Sequence, residues 1–227
     1  MTSPRTGRSR RGKEALSRER IVGAAIELLD TAGESGLTFR ALTERLATGS
    51  GAIYWHVANK GELLDAATDA VVAATLTPPV TRDPRDGIRA VALDLFEAIE
   101  KHPWLTTQLA TQLSRTPWSS VTPRIFEAIG RQVRTLGVPE SSWFTTTSAL
   151  AHYILGAAGQ NAANAGATEP GGNRDEFLDS VTDAWEKLDP DEYPFTRAVA
   201  RQLRGHDDRA QFLAGIDLIL AGIATLR

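Results

Sequence analysis

The chain has 227 residues, 42% of them hydrophobic and 23% charged, with a formal net charge of -3. That is the balance of a folded globular protein with one or two cores, not of a disordered or fibrous chain. It contains no cysteine, which excludes a disulfide framework and thiolate metal sites and suits a reducing compartment. No apolar run approaches the roughly 20 residues that span a bilayer, and the N-terminal arginines lead into no apolar segment of a secretory signal. A cytoplasmic protein without a membrane partner is therefore expected.

Charge is unevenly placed. Residues 1–62 hold ten Lys or Arg against seven Asp or Glu, while residues 63–227 hold fifteen against twenty-one, so basic character, the footprint of a nucleic-acid partner, sits at the front. Residues 1–16, with Arg5, Arg8, Arg10, Arg11 and Lys13, read as a disordered basic arm. It is equally a solvated tail or a segment that touches DNA phosphates. Ser17 then caps a helix with Ile21, Val22, Ala25, Leu28 and Leu29 on one stripe, stopped by Gly33 and Gly36.

Two short helices follow in Thr38 to Lys60. Phe39, Leu42 and Leu46 lie at i, i+3 and i+7 behind the capping Thr38. Ala47, Thr48 and Gly49 interrupt the pattern, and Ile53 and Val57, four apart, share one face of a second helix opening at Ser50. Small residues at its front can approach base edges, and larger donors behind can reach phosphates. A fourth helix runs from about Glu62 to Ala74 with Leu63, Leu64, Ala67 and Val71 inward, and ends at Pro78, Pro79 and Pro84.

Beyond Asp83 the pattern is helical only. Ile88, Val91, Leu95 and Ile99 mark one helix; Trp104, Leu105, Leu109 and Leu113 a second, stopped near Pro117; Ile125, Ile129, Val133 and Leu136 a third, opened by Pro123. A long helix over 141–165 leads into a polar loop over 166–173. Phe177, Val181 and Leu188 mark the next helix, 193–203 another, and Phe212, Ile216, Ile219, Ile223 and Leu226 the last. The predicted fold class is all-α: a three-helix helix-turn-helix domain at 17–62 and a second, helical domain at 63–227.

The stretch Ile53-Tyr54-Trp55-His56-Val57-Ala58-Asn59-Lys60, followed by Leu63-Leu64-Asp65-Ala66, resembles the DNA-binding domain of the tetracycline repressor (TetR) family, and is similar to the tetracycline repressor's own branch. A fainter likeness continues in His152 to Gly156 and in Phe212 to Ile219 with Gly222. Where the family shows Leu-Gly-Val-Ser, this chain has Leu46-Ala47-Thr48-Gly49. The position suited to glycine's positive φ falls to Ala47, and the cap of the second helix to Thr48 or Ser50. Motif and resemblance together imply a DNA surface of Thr38, Arg40, Thr48, Ser50, Gly51, Ala52, Tyr54, Trp55, His56 and Lys60. The partner so implied is operator double-stranded DNA. The resemblance also implies a homodimer whose two matching helices pair with their copies in a four-helix bundle, with Gly156, Gly159, Ala163, Ile216, Ile219 and Ile223 at the seam. The small-sided 141–165 helix permits this, although an intrachain partner explains the same composition.

The four histidines lack zinc-site spacing, and no serine elbow or phosphate loop is present, so no catalytic residues, metal or cofactor are expected and the chain is not read as an enzyme. Amides interspersed with aromatics on apolar helices suggest an effector pocket of Trp104, Gln108, Gln112, Phe126, His152 and Gln160, though His152 on an apolar helix also reads as a satisfied core residue. The resemblance places Gln112 and Gln160 where the tetracycline repressor uses a histidine and a glutamate to hold drug-bound magnesium. Amides hold a divalent cation poorly, so a largely apolar or aromatic small-molecule effector is expected. The reading is a ligand-responsive repressor; the alternatives are a helical interaction module and, further off, an enzyme.

Overall fold

A computed structural model describes residues 16–78, 81–115, 118–167 and 174–226, and those residues contain helices and no strand. The N-terminal arm, the Thr116-Pro117 stop, Pro79 and most of the predicted 166–173 loop lie outside them. Two compact units divide between Ala67 and Thr68. Both that division and the expected domain boundary at 62/63 fall inside one helix, α4 (Lys60–Thr75).

The first unit comprises α1 (Arg18–Gly36), α2 (Phe39–Leu46), α3 (Ser50–Tyr54) and the start of α4. Ser17 Oγ accepts from the Arg20 N–H and Thr38 Oγ1 from the Ala41 N–H, each satisfying a donor that has no partner within its helix. Ile21, Ala25, Leu29, Leu37, Leu42, Ile53, Val57 and Leu63 form the core. Gly33, expected to stop α1, instead kinks it at φ 63°, and the helix resumes to Gly36.

Ala47 takes the left-handed conformation, φ 48° and ψ 48°, and is the sole non-glycine with positive φ among the described residues. Its N–H bonds Glu44 O, and the Thr48 N–H bonds Thr43 O, the paired pattern that closes a helix on a left-handed residue, usually glycine. Alanine there costs about 1–2 kcal/mol, of which glycine's greater unfolded freedom returns about half. Ala47→Gly is therefore expected to stabilise the first unit by about 0.5–1 kcal/mol, measured as a rise in denaturant midpoint at unchanged slope. The cap of α3 differs from expectation. Gly49 is its N-cap, and neither Thr48 nor Ser50 supplies a side-chain bond.

The second unit packs α5 (Pro84–Lys101), α6 (Leu105–Arg115), α7 (Val121–Thr135), α8 (Trp143–Ala167) and α11 (Asp208–Ile223) around one core, with α9 (Arg174–Glu186) and α10 (Pro194–Val199) against each other. Ile88, Val91 and Leu95 of α5, Ile125, Ile129 and Val133 of α7, Leu150, Ala151 and Ile154 of α8, and Phe212, Ile216 and Leu220 of α11 are buried. Each large side chain among them contributes about 1.5–3 kcal/mol of transfer free energy. Asp83 caps α5 through the Arg85 N–H, with Pro84 at the first helical position, where its missing N–H costs nothing. Leu188 lies just past α9, whose end is closed by the Arg197 guanidinium donating to Glu186 O and Leu188 O.

One expectation about length is corrected. The segment Asp208–Leu226 is, by length and composition, apolar enough to cross a membrane. In this fold one flank of α11 is buried through Phe212, Ile216, Leu220 and Ile223, and its central Asp217 is paired with Arg89 of α5. Beside Asp217, the exposed positions Ala214, Leu218, Ala221 and Gly222 leave a second, small and apolar flank on the helix.

Candidate DNA-reading and effector sites

In the first unit α3 stands on Ile53 and Val57, at 0% and 1% exposure, while Ser50, Gly51, Ala52, Tyr54 and Trp55 face outward. Tyr54 stacks on Phe39 of α2, ring centroids 4.4 Å apart and 13° from parallel, so its ring is oriented by the neighbouring helix and its hydroxyl is presented to solvent. Trp55 is 90% exposed. Arg40, on the first turn of α2, pairs with Glu44 at 2.9 Å with both side chains largely in solvent. An exposed helical pair of this kind is worth little and frees the guanidinium readily.

Four members of the expected DNA set are placed differently. α3 ends at Tyr54, so His56 belongs to the turn after it and is half-buried. Thr38 uses its hydroxyl as the α2 cap, and Thr48 is half-buried in the turn. Lys60 Nζ donates to Glu34 O, one of the carbonyls near the end of α1 that lack a helical partner. In the free protein its ammonium therefore serves the fold.

Sequence reasoning missed what holds the turn after α3. Arg18 Nη1 donates to His56 O at 2.8 Å and pairs with Glu62 at 3.0 Å, while Glu62 Oε2 accepts from the Ala58 N–H and Asn59 Oδ1 from the Glu62 N–H. The Ala58 N–H, and then Arg18, hold the Glu62 carboxyl below the usual carboxylate range. This support is present at neutral pH and is lost as pH falls through that lowered value. The signal was available: Asn59-Lys60-Gly61-Glu62 has the spacing of a capping box.

In the second unit the six expected effector contacts do not converge. Trp104, Gln108 and Gln112 are buried at the start of α6 and along it, and Gln112 Oε1 accepts from Ser119 Oγ at 3.3 Å. Phe126 stacks instead on Phe144, which is 74% exposed, on the outer side of α7 and α8. His152 is exposed, which removes the core reading of it, and Gln160 is exposed and bonds Asn164. The cause is helical period. Positions 152, 156, 160 and 163 fall on one stripe of α8, and Leu150, Ala151, Ile154 and Ala158 on the buried one. The buried hydroxyl residues Thr146 and Thr147 of α8 were not anticipated, although a Thr145-Thr146-Thr147 run at the head of an apolar helix is a visible signal.

The seam residues divide as well. Gly156 and Ala163 are exposed, whereas a Cβ on Gly159 would come within 2.6 Å of Thr106, so that glycine is used in packing α8 on α6. Ile216 and Ile223 are buried within the chain and Ile219 is half-buried. The outward face of α11 carries Ala214, Leu218, Ala221 and Gly222. Tyr153 fixes the two helices together: its hydroxyl donates to Phe212 O at 3.1 Å, its ring lies over Gly215, and the desolvation that comes with this burial raises its pKa.

A short exposed helix on a buried base, followed by a separate all-helical unit, defines a regulator of the helix-turn-helix class. Residues 21–67 match the family described as "Bacterial regulatory proteins, tetR family", and residues 78–227 match "Tetracyclin repressor-like, C-terminal domain". The chain is 29% identical over 227 residues to the HTH-type transcriptional repressor DrrR1 of Streptomyces coeruleorubidus, covering 97% of this chain and 83% of that one. It is 31% identical over 148 residues to an HTH-type transcriptional regulator of Saccharopolyspora erythraea, 64% of this chain and 61% of that protein's length. The structure of the transcriptional regulator SCO7222, a TetR from Streptomyces coelicolor, is 70% identical with a TM-score of 0.86, covering 93% of this chain and 99% of that one. BioQ solved with its double-stranded DNA operator is 25% identical with a TM-score of 0.62, over 93% and 99% of the two chains. The chain belongs to the TetR family, and is a DNA-binding transcriptional regulator.

Proposed function

We propose that this protein is a cytoplasmic, homodimeric repressor that occupies a palindromic operator and is released by a small apolar or aromatic effector. Residues 17–62 form the DNA-reading domain and residues 63–227 the regulatory and dimerisation domain. The observation that carries this is the outward Ser50-Gly51-Ala52 tip of α3 over buried Ile53 and Val57, since small residues at a helix tip let it approach base edges. Support for operator binding comes from BioQ, solved on its DNA operator.

The effector is assigned to Trp104, Gln108 and Gln112, with Thr146 and Thr147 of α8 as further polar partners. Gln108 and Gln112 offer amides, which suit a neutral ligand and hold a divalent cation poorly, and the buried His102 ring lies 6.0 Å from that of Trp104. A hundredfold switch requires about 2.7 kcal/mol of difference between effector affinities for the free and operator-bound states.

Arg40→Ala tests the DNA reading. It is expected to cost about 1–3 kcal/mol of operator affinity and to relax preference at one base position, read by footprinting against a set of single-base operator variants. Unchanged affinity and preference would remove Arg40 from the interface and α2 from base reading.

A further inference from the structure

Beyond the end of α4, residues Leu76 and Pro78 and the outer face of α7 enclose an open groove of about 600 Å3. Leu76, Pro78 and Pro123 are its main apolar lining, and Arg124, Arg131, Gln132 and one carboxylate, Glu127, its polar lining. Arg124 reaches Asp69 of α4 only by one long contact, 3.5 Å from Nη2 to Oδ1, while the same oxygen accepts a 2.6 Å bond from Ser120 Oγ. Arg131 pairs with Glu127 of its own helix, both side chains about two-thirds exposed. Half-exposed and exposed pairs of this kind are nearly neutral in free energy, so either guanidinium can exchange its carboxylate for another at little cost. Gln132 is positioned: a Cβ on Gly87 would come within 2.5 Å of its amide oxygen, so the bare glycine gives its side chain a place to lie.

We propose that this groove is a second effector site, for a small amphipathic carboxylate such as an aromatic acid. The ring lies among Leu76, Pro78 and Pro123. The carboxylate takes Arg124 in place of Asp69, with Arg131 as a second cation; a guanidinium fork matches a carboxylate in two parallel bonds, which the single Asp69 contact does not use. The site differs in chemistry from the α6 site, which offers amides and hydroxyls to a neutral molecule. Occupancy removes the Arg124 contact of Asp69 and leaves its bond with Ser120, at the head of α7. The effect on operator affinity rests on the repressor reading; the binding itself does not.

Calorimetric titration of the full chain without DNA, using 2-naphthoate and its neutral counterpart 2-naphthamide, tests the site. Naphthoate is expected to bind and naphthamide not. Arg124→Gln is expected to weaken naphthoate about tenfold or more, and Asp69→Asn, which keeps the Ser120 bond but removes the competing charge, to strengthen it severalfold. Equal binding of acid and amide, no binding of the acid, or indifference to both substitutions overturns the proposal. In a second titration naphthoate is added to operator-bound protein. Release lost in Arg124→Gln but kept in Gln112→Ala upholds the groove as a separate control site. Binding through Arg124 without release upholds the site and removes only its link to DNA.

Discussion

A chain carrying Gly156→Arg or Leu218→Glu is expected to stay helical, to sediment as a monomer, and to bind operator about a hundredfold more weakly or worse, because one half-site must then hold it without the other. Each substitution lands on an outward face. Gly156 lies on the α8 stripe with Ala149, His152, Gln160 and Ala163, and Leu218, 76% exposed, on α11 with Ala214, Ala221 and Gly222. α8 and α11 already cover each other through Tyr153 and Phe212, so these second faces are what two copies have left to pack as a four-helix bundle. Small residues let the backbones approach, and a guanidinium at 156 has no room in such a seam and no partner. Gly159→Arg makes the contrast, since it collides with Thr106 inside the chain and is expected to lower solubility and helicity. Velocity sedimentation at micromolar concentration decides the matter. A monomeric parent chain would sink the bundle.

Phe212→Ala is expected to cost about 3–5 kcal/mol of unfolding free energy, the largest stability effect foreseen for a single truncation here. Phe212 is 2% exposed and lies where three helices meet, 4.8 Å from Phe96 of α5 and 5.9 Å from Tyr153 of α8 between ring centroids. Removing the ring leaves a cavity that neither neighbour can close. Phe96 is buried in α5, and Tyr153 is held by its bond to the Phe212 carbonyl, which alanine retains. Urea unfolding followed by circular dichroism measures the loss. A cost below about 1.5 kcal/mol, the range of volume-conserving swaps, would mean that α11 does not complete the core as described.

The helices were legible because their apolar residues repeat at helical spacing over several turns, as Ile88, Val91, Leu95 and Ile99 do. Less visible was where a helix stops when long-range bonds decide it: α3 gives way to a turn at Trp55 and His56, and that turn is held by Arg18 and Glu62, 38 and 4 residues from the groups they bond. Facing was ambiguous wherever both sides of a helix are apolar or small. Gly156 and Gly159 are the same residue three positions apart, one exposed and one against Thr106. Gln112 and Gln160 are likewise identical in type and opposite in environment. Composition cannot separate such pairs, because burial is decided by which helix arrives on that side. Ile216 and Ile223 looked available for a partner for the same reason, and the chain's own core takes them.

The pairing of Arg89 with Asp217 joins residues 128 positions apart, and it implies an order of events during folding. Closing a loop of that length costs about 4 kcal/mol in chain entropy before any contact returns it. Local helix pairs such as α7 with α8 carry no such cost and form sooner. The α11 segment therefore spends the early part of folding undocked, with both of its apolar flanks in water. Refolding yield should accordingly be governed by a race between docking of this segment within its own chain and its collision with another chain, a race that dilution favours the first to win.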